Sequence, residues 1–177
     1  MRTYRYVGPP DIKARSATQP PGREIHTPAD VRAWIRDSAQ PASPGDLIPA
    51  TFVIDPAGRL LIADRHSEHV ACAAGRDVLA AGEIFFLIES PSALSVAEVT
   101  NQSTGYCPEP TCWSAVEAAW SAVEAALDQI GLPHPSGFTT ECTFRKCQNC
   151  GARNIVKDAW YHCDVCGAPL PGVWNFD

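Results

Sequence analysis

No stretch of this 177-residue chain comes near the ~20 consecutive apolar residues that a helix needs to cross a bilayer. An apolar signal core is missing behind Met1-Arg2-Thr3-Tyr4-Arg5, so secretion by that route is not expected. Basic residues are scarce in the middle, where residues 46–141 hold three Lys/Arg against thirteen Asp/Glu. So acidic a stretch repels phosphate backbones, which makes nucleic acid a poor partner for it. There is no glycine-rich phosphate loop and no serine nucleophile elbow, so neither P-loop nor serine-hydrolase chemistry is indicated. What remains, at 45% apolar and 19% charged residues, has the make-up of a globular chain able to bury a substantial core. Sixteen prolines imply many turns and irregular connections.

Cysteine is not scarce, and its placement is the strongest signal in the chain. Cys147-Gln-Asn-Cys150-Gly151 and Cys163-Asp-Val-Cys166-Gly167 are separated by the twelve residues between Cys150 and Cys163. Two residues between thiolates let one tight turn present both sulfurs to the same ion, and the following glycine permits positive φ where the chain curls under it. The spacing favours a four-cysteine zinc ribbon over two disulfides or four reduced core thiols. Four sulfurs fill all the tetrahedral positions, so such a Zn2+ is structural. Metal binding of about 10–16 kcal/mol would hold a segment too small for its own core. Between the pairs, Asn154–Lys157 and Trp160–His162 read as two short strands joined by Asp158-Ala159. The other four cysteines then read as reduced thiols of a cytoplasmic protein, with Cys72 and Cys142 filling core space.

Taken in order, Tyr4-Arg5-Tyr6-Val7 suits an edge strand stopped by Gly8-Pro9-Pro10. Thr27-Pro28-Ala29-Asp30 opens a helix that docks through Trp34 and ends before a linker-like Gln40–Gly45. From Asp46 the pattern turns to β. Thr51–Ile54 and Arg59–Ala63 flank the turn residues Asp55-Pro56-Ala57-Gly58. Ile84–Ile88 is apolar throughout, as a central strand should be, and Ser95–Val99 would pair with it. A long helix is predicted from Thr111 to Ile130, stopped by Gly131 and Pro133. It contains a perfect seven-residue repeat beginning at Trp113 and again at Trp120, which reads as lengthening one core-facing stripe rather than as a coiled-coil or partner face. Phe138 to Arg145 alternates like a strand feeding the first cysteine pair.

Polar residues gather at the predicted strand ends: His66-Ser67, Ala80-Ala81-Gly82-Glu83, and Asn101 through Ser103-Thr104-Gly105-Tyr106 with Pro108. Across residues 50–110 or so, their order resembles a module of bacterial polymorphic-toxin C-termini and plant IQ-motif calmodulin-binding proteins. That module runs His-Ser-Ser, Ala-Gly-Glu or Ala-Gly-Arg, then Ser-Gly-His-Tyr-x-Pro. Thr104-Gly105 stands here where the family has Gly-His. The resemblance implies a compact β module that brings His66, Glu83 and Tyr106 together; with Ser67 and Asn101 these are the expected ligand-binding residues. Separately, His66-Ser67-Glu68 with Cys107 and Cys112 resembles the zinc deaminase arrangement His-x-Glu…Cys-x(2–4)-Cys, in which zinc activates water and the glutamate moves protons.

The expected fold is α+β: an antiparallel β module with one long helix, plus a C-terminal zinc ribbon. Its divisions fall at 1–45, a strand–helix segment and linker; 46–137, the β-rich module; and 138–177, the ribbon. The expected function is that of a zinc-stabilised cytoplasmic binding or adaptor protein of a bacterial conflict or signalling system. It would engage a protein partner or a small ligand through its strand-end residues. The alternative is a small enzyme acting on a nucleotide-like substrate, using either the deaminase-like residues or a metal-free site at His66, Glu83 and Tyr106.

Overall fold

In the computed structural model, residues 2–38, 46–90, 93–110 and 119–176 are described. The architecture is α+β, with a five-stranded antiparallel sheet and a second, two-stranded one. The large sheet consists of β1 (Arg23–Ile25), β2 (Leu47–Ile54), β3 (Leu60–Asp64), β4 (Ala80–Ile88) and β5 (Leu94–Val99), in the order β1-β3-β2-β4-β5. The small sheet pairs β6 (Thr143–Lys146) with β7 (Arg153–Val156). Four helices accompany them among the described residues: α1 (Pro10–Ser16), α2 (Pro28–Ser38), α3 (His69–Cys72) and α4 (Ala119–Ile130). None of these is long and apolar enough to cross a membrane.

The central strand β2 explains the sheet. Phe52, Val53 and Ile54 are consecutive and wholly buried. Successive strand residues point to opposite faces, so β2 must be covered on both. The β2–β3 hairpin forms where the turn residues demanded it. The Asp55 amide donates to the Arg59 carbonyl and Gly58 N–H to the Asp55 carbonyl, while Gly58 takes φ 81°. Helix α2 starts as its sequence requires. The Thr27 amide donates to Asp30 Oδ2 at 2.8 Å and the Asp30 amide to Thr27 Oγ1 at 3.3 Å, a reciprocal cap. Trp34 then packs on Phe86, their rings 6.5 Å apart. Helix α4 ends in Gly131 at φ 79°, whose amide reaches back to the Leu127 carbonyl. Its predicted beginning at Thr111, with the first copy of the repeat, lies outside the described residues, as does the linker-like 40–45.

Several local expectations change. Tyr4–Val7 forms no strand; Tyr4 makes a single bridge with Val78, and the Val7 amide turns instead to the Gly105 carbonyl. Pro9-Pro10 begins a helix rather than merely stopping a strand, because a proline at the first helical position forfeits no hydrogen bond. The segment Arg23–Ile25 adds an edge strand beside β3, and Ile25, Val31 and Trp34 share one apolar core with the central strands. In the ribbon, Asn154–Lys157 does not pair with Trp160–His162. Each cysteine pair instead closes its own hairpin. The first joins β6 to β7, and the second joins Tyr161 and His162 to residues 168–170 through the His162–Pro169 bridge and the Leu170 amide on the Tyr161 carbonyl. Asp158 and Ala159, both at positive φ, turn the chain from one hairpin to the other.

Candidate functional site

The four ribbon cysteines converge. Their sulfurs all lie within 4.8 Å of one another, with Cys147–Cys166 and Cys150–Cys163 each at 3.6 Å. Zn–S bonds of about 2.3 Å at tetrahedral angles place neighbouring sulfurs roughly 3.8 Å apart, so this donor set fits one ion. A disulfide needs about 2.05 Å, and none of the four cysteines forms one. The two turns repeat one geometry. The amide of Cys147 donates to the Ala152 carbonyl and Gly151 N–H returns to the Cys147 carbonyl. Cys163, Ala168 and Gly167 do the same. Gly151 and Gly167 sit at φ 75° and 72°, where a side chain would be strained. Asn149 Nδ2 donates to Cys166 Sγ at 3.5 Å and lowers the pKa of that thiol, in the direction of the thiolate a metal binds.

The ribbon is stitched to the body by polar groups. Asn101 is wholly buried, its Nδ2 donating to the carbonyls of Pro108 and Cys142 while its Oδ1 accepts the Cys142 amide at 2.7 Å. Arg145, also buried, donates to Glu109 and to the carbonyls of Phe144, Pro171 and Gly172. Trp174 Nε1 donates to the Cys107 carbonyl at 2.7 Å and its ring meets Tyr4 edge-on.

At the strand ends of the large sheet, Glu83 meets a histidine, and it is His69. Nε2 of His69 lies 3.0 Å from the Gly82 carbonyl and 3.7 Å from Glu83 Oε1. A carbonyl can only accept, so Nε2 carries the hydrogen and Nδ1 is left as an acceptor. Burial holds His69 neutral, its pKa pushed down to about 4, and the same burial raises Glu83 to about 7. Near neutral pH the two are therefore an imidazole and a half-ionised carboxyl, not a salt bridge. Glu83 faces Thr51 across β2, and Thr51 Oγ1 donates to the carbonyls of Arg65 and Ser67, which brings the 65–69 turn against this place. The glycine before the glutamate is required. A Cβ on Gly82 would lie 1.9 Å from the Thr100 carbonyl, and Thr100 Oγ1 accepts the Glu83 amide.

The remaining strand-end residues take other positions. His66 is exposed, its amide donating to Asp64 Oδ1 at 2.8 Å, and the Ser67 amide bonds the Asp64 carbonyl. Tyr106 is wholly buried, with its hydroxyl donating to the Arg76 carbonyl at 2.7 Å and its ring edge-on to Tyr6. Cys107 lies among Cys142, Phe144 and Phe176, burial pushing its thiol up to about 12, while Cys112 lies outside the described residues. His69 was readable only as one more polar residue of the 64–69 stretch. Its one signal was the apolar Val70-Ala71-Cys72-Ala73 that follows, which buries the turn it begins. No protein-family model matches the chain, and no curated protein or solved structure matches it either. The resemblance across residues 50–110 rests on motif order alone.

Proposed function

We propose that this protein is a cytoplasmic binding or adaptor module of a bacterial conflict or signalling system, stapled by a structural Zn2+ on Cys147, Cys150, Cys163 and Cys166. Its ligand site, for a protein segment or a small polar molecule, centres on Glu83 and His69, with His66 and Ser67 on the adjoining turn. The observation that carries this reading is the four-sulfur cluster, which fits one ion and leaves it no open coordination position. A closed site of that kind supports structure rather than chemistry. Metal analysis of purified protein tests it. One zinc per chain is expected, lost in Cys147→Ser and kept in Cys107→Ser. A second zinc that depends on His66, Cys107 and Cys112 would instead support the deaminase-like alternative.

A metal-free enzyme is the second reading, favoured by one observation: a carboxyl poised at about 7 beside a neutral imidazole is suited to general acid–base work on a nucleotide-like substrate. Under this reading Glu83 exchanges the proton and His69 orients it. Carbon-detected titration of the Glu83 carboxyl decides whether the premise holds. A midpoint in the ordinary range near 4.5 would remove it.

A further inference from the structure

The N-terminal segment and the first cysteine turn enclose a cleft of about 470 Å3, lined by Arg5, Val7, Gly8 and Pro9 on one side and by Lys146, Gly151, Ala152, Arg153 and Phe176 on the other. That volume is in the range of small-molecule sites. Three cations converge here, Arg5 from the N-terminal segment and Lys146 and Arg153 paired across the β6–β7 hairpin, and among the described residues no acidic one is part of the lining. Among the described residues no carboxylate lies within ion-pairing distance of any of the three, although the chain as a whole is at −6. Asp77 shares a neighbouring hollow with Arg5 without pairing to it.

The cations are held rather than scattered. One guanidinium nitrogen of Arg153 donates to the Val7 carbonyl at 2.8 Å, which fixes the plane of the group across the seam. Lys146 has both its backbone groups bonded to the Asn175 side chain, at 2.9 and 2.7 Å, so its stem leaves a fixed point. Like charges gathered without a counter-charge repel one another, and an anion between them removes that repulsion. Arginine and lysine together suit a phosphate, the first as a planar fork and the second as a point charge.

We propose that this cleft binds a compact phosphate-bearing small molecule, with the phosphate between Arg5, Lys146 and Arg153 and the organic part against Val7, Pro9 and Phe176. A long polyanion is the wrong occupant, since the acidic 46–141 stretch would repel whatever extended beyond the cleft. This site is separate from the Glu83–His69 place, so either proposal can fail without the other.

Amide NMR spectra of the full, zinc-loaded chain test it, with inorganic phosphate and then adenosine monophosphate as probes and sodium chloride at matched ionic strength as control. Saturable shifts are expected at Gly8, Gly151 and Ala152, with the monophosphate binding more tightly than phosphate alone. In Arg5→Gln/Lys146→Gln the affinity should fall at least about tenfold, as expected for charge-assisted hydrogen bonds. Both side chains are exposed, so unchanged signals elsewhere will report an intact fold. Shifts equal to the chloride control, or affinity unchanged in the double variant, would overturn the proposal. So would tighter binding of a short RNA oligonucleotide than of the monophosphate.

Discussion

Phe52 and Cys147 are both almost wholly buried, yet different forces hold their surroundings in place. Phe52 sits in the large sheet among some thirty buried apolar residues drawn from all five of its strands and from α2, α3 and α4. Around Cys147 the buried cluster among the described residues is Cys147, Cys163 and Leu170, and a second small one, Cys142, Phe144 and Phe176 with Cys107, backs β6. Cores of that size cannot offset the ordering of a ribbon of this length. The sheet can therefore stand on area removed from water, whereas the ribbon needs a directional tie. The four sulfurs are placed to supply one, and the buried amide of Asn101 and guanidinium of Arg145 join the two regions.

Removing the tie gives the largest expected effect. Cys163→Ser should abolish zinc binding, remove about 10–16 kcal/mol of metal-linked stabilisation from the ribbon, and leave the far-ultraviolet signal of the large sheet in place. Next comes the converse experiment in the sheet. Phe52→Ala should lower overall stability by about 3–5 kcal/mol in urea denaturation, with zinc stoichiometry unchanged. If zinc were lost as well, the two regions would not be held independently. A smaller effect is expected at the joint. Asn101→Ala strands the Cys142 amide and two carbonyls and should cost about 1–3 kcal/mol, seen as faster exchange where the chain enters β6.

The smallest effect in the native chain concerns Glu83 and His69, whose opposite shifts set its sign. Glu83 is raised from 4.5 to about 7 in the fold, so as pH rises through that window the unfolded chain releases its proton first and stability falls. His69 is lowered from 6.5 to about 4, so stability falls as pH drops through that window. Between roughly 4.5 and 6.5 the two slopes oppose each other and the native chain should show little dependence from this pair. Glu83→Gln removes one slope, so stability should then climb with pH up to about 6.5, by about 1–3 kcal/mol. A flat profile in the variant would mean that His69 is not held neutral.

The sequence was most informative where one local requirement decided the geometry. Cys-x-x-Cys-Gly fixed both metal turns, Asp55-Pro56-Ala57-Gly58 the hairpin, Thr27-Pro28-Ala29-Asp30 the start of α2, and the apolar run at Ile84 a central strand. It was least informative where a partner far along the chain decides. Nothing local distinguishes His66 from His69; the choice is made by Val70 and Cys72 burying one face of a single turn against the sheet. Tyr106 and Asn101 look like ligand residues in a polar loop, but their polar groups are spent on Arg76, Pro108 and Cys142, thirty or more residues away in two cases. The pairing of the ribbon's strands is decided in the same way. Trp160–His162 has strand-like composition, but each cysteine turn imposes its own partner.

Hydrogen exchange on the full chain, before and after a chelator removes its metal, tests the central claim most directly. The account predicts that amides of β6 and β7 lose their protection while those of β2 and β4 keep most of theirs. Protection retained in β6 and β7 after complete metal removal, or lost in all four strands together, would contradict it.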